Sequence, residues 1–295
     1  MQPGQFFTEY VDSIPKLKKH VHVVDYMIME KVAERVRKEA HFFALPLNGQ
    51  LTNRSSAVIK PCGGEIFRPP YKFVVLEYEA ASDSVPVGMT QCPKRIVIAM
   101  DVGGEAVHLL PCLFNEKEQR WVPHIYMAAI RYDNPKAVSV MNGDLHTHAT
   151  YTFNLPKLYE AMLASWGGNE ISFKRQMAID LSDEVHAYLD FCIVLHNHEV
   201  TFDEVAPDAA KNRFRRARGK APLFTYKVLT IGKKKRKSRH LGGTHASPRS
   251  HLRRGYFRRS KNGVRHWVQP CMVKGDTSGF VHKDYKVEGQ SQCTL

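Results

Sequence analysis

Four runs decide the fold: 71-YKFVVLEYEA-80, 94-KRIVIAMDV-102, 106-AVHLLPCLF-114 and 120-RWVPHIYMAAIRY-132. Each is apolar, rich in β-branched and aromatic residues, and bounded by breaks containing Gly, Pro or Asn, which is the pattern of strands. Their connections are too short to hold crossover helices, so the spacing predicts four strands in an antiparallel meander.

Helical periodicity flanks this block. Residues 13–40 predict one helix, capped by Ser13 and with Pro15 early, in which Val24, Met27, Ile28, Val32 and Val36 recur at three- and four-residue intervals. After residue 153, Asn154 and Pro156 prepare the helix PKLYEAMLASW, which Gly167-Gly168 stops. Ser182 is the expected cap of SDEVHAYLDFCIVLHNH, whose Val185, Tyr188, Leu189, Cys192 and Ile193 form one stripe. A further helix is expected from about Pro207 to Gly219, then a strand in APLFTYKVLTI, an exposed loop in GKKKRKSRHLGG, and a hairpin turning at Asn262-Gly263. The expected class is α+β: an antiparallel β-meander packed with helices, followed by a basic C-terminal β-hairpin module.

At 295 residues with 43% hydrophobic content, the chain has material for one large domain or two ordinary ones. Charge divides it. Residues 1–204 carry 20 Lys and Arg against 25 Asp and Glu, net −5; the remainder carries 23 against 4, net +19. The asymmetry suggests a mixed α/β body over 1–205 and a basic nucleic-acid-binding module over 206–295. The six cysteines are widely spaced and include no C-x-x-C pair, so they read as free thiols in a reducing compartment. No signal peptide and no apolar run of about 18 residues is visible, so a cytoplasmic protein without a membrane partner is expected.

Three cationic segments carry the binding expectation. They are Arg213, Arg215 and Arg216 in RFRRARGK; Lys233, Lys234, Lys235 and Arg236 in KKKRK; and Arg254, Arg258 and Arg259 in the hairpin region. Clustered cations gain by displacing counterions from nucleic acid, and the interleaved Phe214, Tyr256, Phe257 and Trp267 offer faces to unstacked bases. A charge run is also an ordinary solvated surface, and the aromatic interleaving is what favours binding. RGYFRR approaches the RNA-binding strand signature but departs from it at Phe257 and Arg258.

The segment 242-GGTHASPRSHLRRGYFRR-259 also holds a candidate catalytic set. His245 and His251 would serve as base and acid in metal-independent cleavage of an RNA phosphodiester, Arg249 and Arg253 would stabilise the transition state, and Tyr256 is a further proton donor. The plainer reading is that these histidines only hydrogen-bond phosphate or backbone. In an extended segment His251 and Arg253 share one side, opposite Arg254 and Tyr256.

Other constellations are weaker. His146 with His148, and His196 with His198, form H-x-H pairs that could ligate zinc with Asp144 or Glu199, but no third ligand stands at fixed spacing; no metal and no cofactor is expected. Gly63-Gly64 and Gly103-Gly104 lack the Lys-Ser/Thr ending of a phosphate loop, and Ser165 lacks a nucleophile elbow. Asp183, Glu184 and Asp190 are explained as acids near a helix start.

Over its final fifth the chain resembles the C-terminal segment of a group of largely uncharacterised tailed-phage and prophage proteins. The resemblance rests on His245, Pro248, Arg249, His251, Arg253, Arg254, Gly255, Arg258, Trp267 and Val268, with Tyr256 where a histidine is expected. It implies a phage setting and the cytoplasm of a host cell. The leading expectation is nucleic-acid binding, RNA favoured, with ribonuclease action added. The alternatives are a non-enzymatic inhibitor docking on a host defence protein and a virion or packaging component. No feature sets an oligomeric state.

Overall fold

The computed structural model describes residues 4–52, 63–80, 92–141, 144–197, 200–231, 251–253, 256–259, 265–268 and 271–273. Two helices, α1 (Phe6–Leu17) and α2 (Val23–Glu39), precede the short strand β1 (His41–Ala44). The four expected strands follow as β2 (Phe73–Glu79), β3 (Lys94–Val102), β4 (Ala106–Asn115) and β6 (Tyr126–Arg131), antiparallel and in meander order. Pro123 lies between β6 and a short companion strand of β4, β5 (Arg120–Val122).

The sheet is wider than the meander. β7 (Val138–Met141) and β8 (Asp144–Thr147) form a separate pair, while β9 (Thr150–Phe153) extends the main sheet beyond β6. At the other end, β1 pairs in parallel with both β2 and β11 (Tyr226–Ile231), and β10 (Val200–Val205) closes the edge antiparallel to β11. The sheet is therefore mixed. Helices α3 (Pro156–Ser165), α4 (Glu170–Asp180), α5 (Ser182–Asn197) and α6 (Ala209–Ala217) complete this part. No helix among the described residues is long and apolar enough to cross a membrane.

Alternation along the strands builds two cores. Val74, Leu76, Val97, Ala99, Val107 and Leu109 meet Tyr188, Phe191 and Cys192 of α5 on one face. Val75, Ile96, Ile98, Leu110 and Cys112 meet Phe7, Tyr10 and Ile14 of α1 and Met29 and Val36 of α2 on the other. Strands buried on both faces read as continuous apolar runs, which is why β2 and β3 were legible. Gly103 and Gly104, both at positive φ, make the tight β3–β4 turn. Gly64 serves close approach: a Cβ there would lie 1.9 Å from the Arg131 carbonyl oxygen.

The expected helix over 13–40 is corrected to two. Pro15 sits inside α1, Ser13 donates to the Tyr10 carbonyl instead of capping, and His22 caps α2 by accepting from the Val24 amide. The helical phase restarts at Val23, so Val24 and Met27 are 43% and 63% exposed, while Tyr26, Met29, Ala33 and Val36 face the core. Ser182 is the first residue of α5, and the Leu181 carbonyl accepts its opening hydrogen bond. The expected division after residue 205 falls between β10 and β11, which are paired neighbours in the sheet.

Buried carboxylates hold segments distant in sequence. Glu77 on β2 accepts from the amides of Phe6 (3.0 Å) and Phe7 (2.6 Å) at the start of α1, and from the Tyr226 hydroxyl on β11. Asp25 on α2 accepts from Lys157 and Leu158 at the start of α3, at 3.1 and 2.7 Å. Asp190 on α5 accepts from the Leu51 amide and the Thr52 hydroxyl. Glu184 pairs with Arg95 inside the protein. Each satisfies donors that would otherwise be stranded without water.

Replacing Glu77 by Ala strands three donors, and urea denaturation should show a loss of about 3 kcal/mol. Burial raises Glu77 from 4.5 to about 7, against the hydrogen bonds from Tyr226, Phe7 and Phe6. Because the folded value lies above the unfolded one, this group's contribution is full below about pH 4.5 and is lost as pH rises through about 7. The stability difference between the wild type and Glu77→Gln should therefore shrink with pH across that window, measured by denaturant midpoints.

Candidate functional site

Helix α6 begins where Asp208 accepts from the Ala210 amide, and it is followed by Gly219 at positive φ. Its inner side is clamped to the body. Asn212 exchanges two hydrogen bonds with the Leu223 backbone, and Arg215 donates to the Ala221 carbonyl and to Asp12 of α1, both at 2.6 Å. Asp12 in turn accepts from the Ala221 amide. Arg215, expected as a phosphate contact, is thus a structural clasp: its charge is already spent on Asp12.

The outer side of α6 differs. Lys211, Arg213, Arg216 and Arg218 are exposed, and Phe214 stands 57% exposed with the Arg218 guanidinium 3.9 Å over its ring. A guanidinium stacked on an open aromatic ring presents a flat, cationic surface. Of the three arginines expected here, Arg213 and Arg216 remain available to a ligand.

In the hairpin region the described backbone forms β12 (His251–Arg253), β13 (Tyr256–Arg259), β14 (Arg265–Val268) and β15 (Cys271–Val273). β12 pairs with β15 and β13 with β14, both antiparallel and with the same offset. His251 stands opposite Val273, Arg253 opposite Cys271, Phe257 opposite Trp267, Arg258 opposite His266 and Arg259 opposite Arg265. By strand alternation, positions 251 and 253 share one side of the β12–β15 pair, and in the separate β13–β14 pair 257, 259 and 267 fall on one side and 256 and 258 on the other. His245, Arg249, Arg254, Lys233, Lys234, Lys235, Arg236 and the Asn262-Gly263 turn lie outside the described residues.

Two of the H-x-H histidines have other partners. His196 bonds the Ile66 carbonyl at 3.0 Å and burial pushes it down to about 4, while His148 bonds the Ser139 hydroxyl at 2.6 Å. His198 lies outside the described residues. Among the described residues, no three His, Cys, Asp or Glu side chains converge as metal ligands.

Two polar clusters had no sequence signature. Tyr10 from α1 meets His124 at 3.1 Å, with the Cys112 sulfur 3.7 Å from the same Nδ1; all three are buried, and burial lowers His124 to about 4. The second gathers Lys227 of β11, Tyr71 just before β2, His41 of β1 and Glu204 of β10. Lys227 donates to the Tyr71 hydroxyl at 3.4 Å and lies 4.7 Å from that ring's centroid, and the His41 ring stacks on Tyr71 at 3.7 Å. Glu204 faces Lys227 across the β10–β11 ladder. Burial lowers Lys227 to about 8, against the pull of Glu204, and raises Tyr71 to about 12. The one hint in the sequence is a lysine between two buried strand residues, Tyr226 and Val228.

Arg215→Ala should lower stability by about 1 kcal/mol by unpairing Asp12 and freeing the 219–221 turn, whereas Arg213→Ala and Arg216→Ala should leave the thermal midpoint unchanged. Differential scanning calorimetry of the three variants reads this contrast. No family model, curated protein or solved structure matches the chain.

Proposed function

We propose that this protein binds nucleic acid, RNA in preference, through the outer side of α6 and the basic segments that follow β11. The observation that carries the reading is the exposed cationic and aromatic side of α6, held rigid by Arg215 and Asn212 on its inner side. A helix already docked on the body spares the ordering of its backbone when its exposed guanidinium groups meet phosphates, and Phe214 offers a stacking face for an unpaired base. The excess of +19 beyond residue 204 supplies the long-range attraction. The resemblance of the final fifth to phage proteins suggests a phage product acting in a host cell.

Metal-independent ribonuclease action is the second reading. The sequence supports it by setting His251 among Arg249, Arg253 and Tyr256 in a segment without an acidic residue, a set of groups suited to moving protons at a phosphodiester. His245 would be its partner in proton transfer.

Fluorescence anisotropy with labelled single-stranded RNA across a salt series tests binding. The logarithm of affinity should fall linearly with the logarithm of salt, and the combined Arg213→Gln, Arg216→Gln, Arg218→Gln variant should flatten that slope by about 2–3 while keeping its thermal midpoint. Absence of binding at low salt would overturn the reading, and a host protein recovered by pull-down after nuclease treatment would replace it with the inhibitor alternative. For cleavage, products formed with chelator present should vanish in His251→Ala and His245→Ala while binding persists.

A further inference from the structure

Every buried carboxylate described above meets backbone donors, a tyrosine or an arginine. Lys227 is treated differently. It is 6% exposed, its hydrogen bond to Tyr71 is long at 3.4 Å, and among the described residues no carboxylate comes within ion-pair distance. The protein therefore buries an amine without giving its charged form a close counter-ion, an arrangement that favours the neutral amine. The neutral form of lysine is a nucleophile.

The neighbours suit one kind of chemistry. Tyr71 puts a hydroxyl beside the amine, and a phenol carries its proton throughout the neutral range, so it is available as a proton donor. The stacked His41 ring holds the phenol plane in place. Glu204, exposed at the rim, lies across the ladder where it would attract a positive charge developing on the Lys227 nitrogen. Tyr71 and His41 are half-buried, so the cluster opens towards solvent at the end where β1, β2 and β11 begin. Four segments far apart in sequence supply these groups.

We infer that Lys227 is a nucleophilic amine that condenses with the carbonyl group of a small aldehyde, with Tyr71 delivering the proton to the carbonyl oxygen. The Nζ lone pair forms the C–N bond as the carbonyl π pair moves to oxygen, which takes the Tyr71 proton. The nitrogen's own proton then restores the phenol. Loss of the carbinolamine hydroxyl as water leaves an imine, whose protonated form faces Glu204; nothing is oxidised or reduced. This site is separate from the α6 surface and does not rest on the nucleic-acid reading.

The full chain is treated with propanal and cyanoborohydride at neutral pH, and the alkylated lysines are mapped by peptide mass spectrometry over time. A lysine lowered to about 8 holds far more neutral amine than an exposed one, so Lys227 should be labelled more than about tenfold faster than Lys211 and Lys220. Tyr71→Phe should slow labelling of Lys227 by about tenfold and leave the exposed lysines unchanged. In Lys227→Met the fast phase should disappear, and the wild-type map decides the question even if that variant fails to fold. Labelling of Lys227 no faster than that of Lys211 would overturn the assignment of the nucleophile. An unchanged rate in Tyr71→Phe would overturn the proton donor.

Discussion

A single buried carboxylate ties the sheet to both ends of the described body. Glu77 takes the first amides of α1 and the hydroxyl of Tyr226, so the N-terminal helix, a central strand and the last strand of the main sheet meet at one side chain. Without it the start of α1 would face the apolar surface of β2 with its amides unpaired, and Tyr226 would bury a hydroxyl with no acceptor. β11 owes its place beside β1 in part to this anchor. The positions of Lys227, one residue on, and of α6, which docks against α1 through Asp12, follow from it.

The same device recurs wherever the chain must turn back. Asp25 starts α3 and Asp190 ties down the residues after β1, each by accepting backbone amides inside the protein. These acids are structural, which answers the question raised by an acid-rich helix start at 182–190: Glu184 neutralises Arg95, and Asp190 satisfies the Leu51 amide. Against that background of compensated charge, the buried amine of Lys227 is the exception. On α6 the division of labour is equally physical. Within one run of cations, helical geometry turns Arg215 inward to an aspartate and leaves Arg213, Arg216 and Arg218 in solvent.

Much of the fold was legible because β2, β3, β4 and β6 are apolar on both faces and bounded by turn residues. α3 and α6 were legible through Pro156 and Gly219. The failures have two causes. β1 is four residues long and β10 carries Asp203 and Glu204, so neither has the apolar run that marks a buried strand. Residues 138–153 are polar enough to pass for loop, yet they supply a strand pair and an edge strand. In the N-terminal helices the error was one of phase: a break at residues 18–22 resets the rotation, and Val24 and Met27 turn outward.

The sequence by itself determined the strand-rich centre, the charge boundary near residue 205, and the cationic and aromatic segments on which nucleic-acid binding is proposed, because these depend on residues adjacent in the chain. Only the tertiary structure decided that the sheet is mixed, that β11 lies inside it beyond the charge boundary, that Arg215 is a clasp, and that Lys227 meets Tyr71, His41 and Glu204. Those outcomes depend on which strands become neighbours, and strand order is set by the burial of whole faces and by long-range anchors such as Glu77. Neither leaves a local pattern in the sequence to be read.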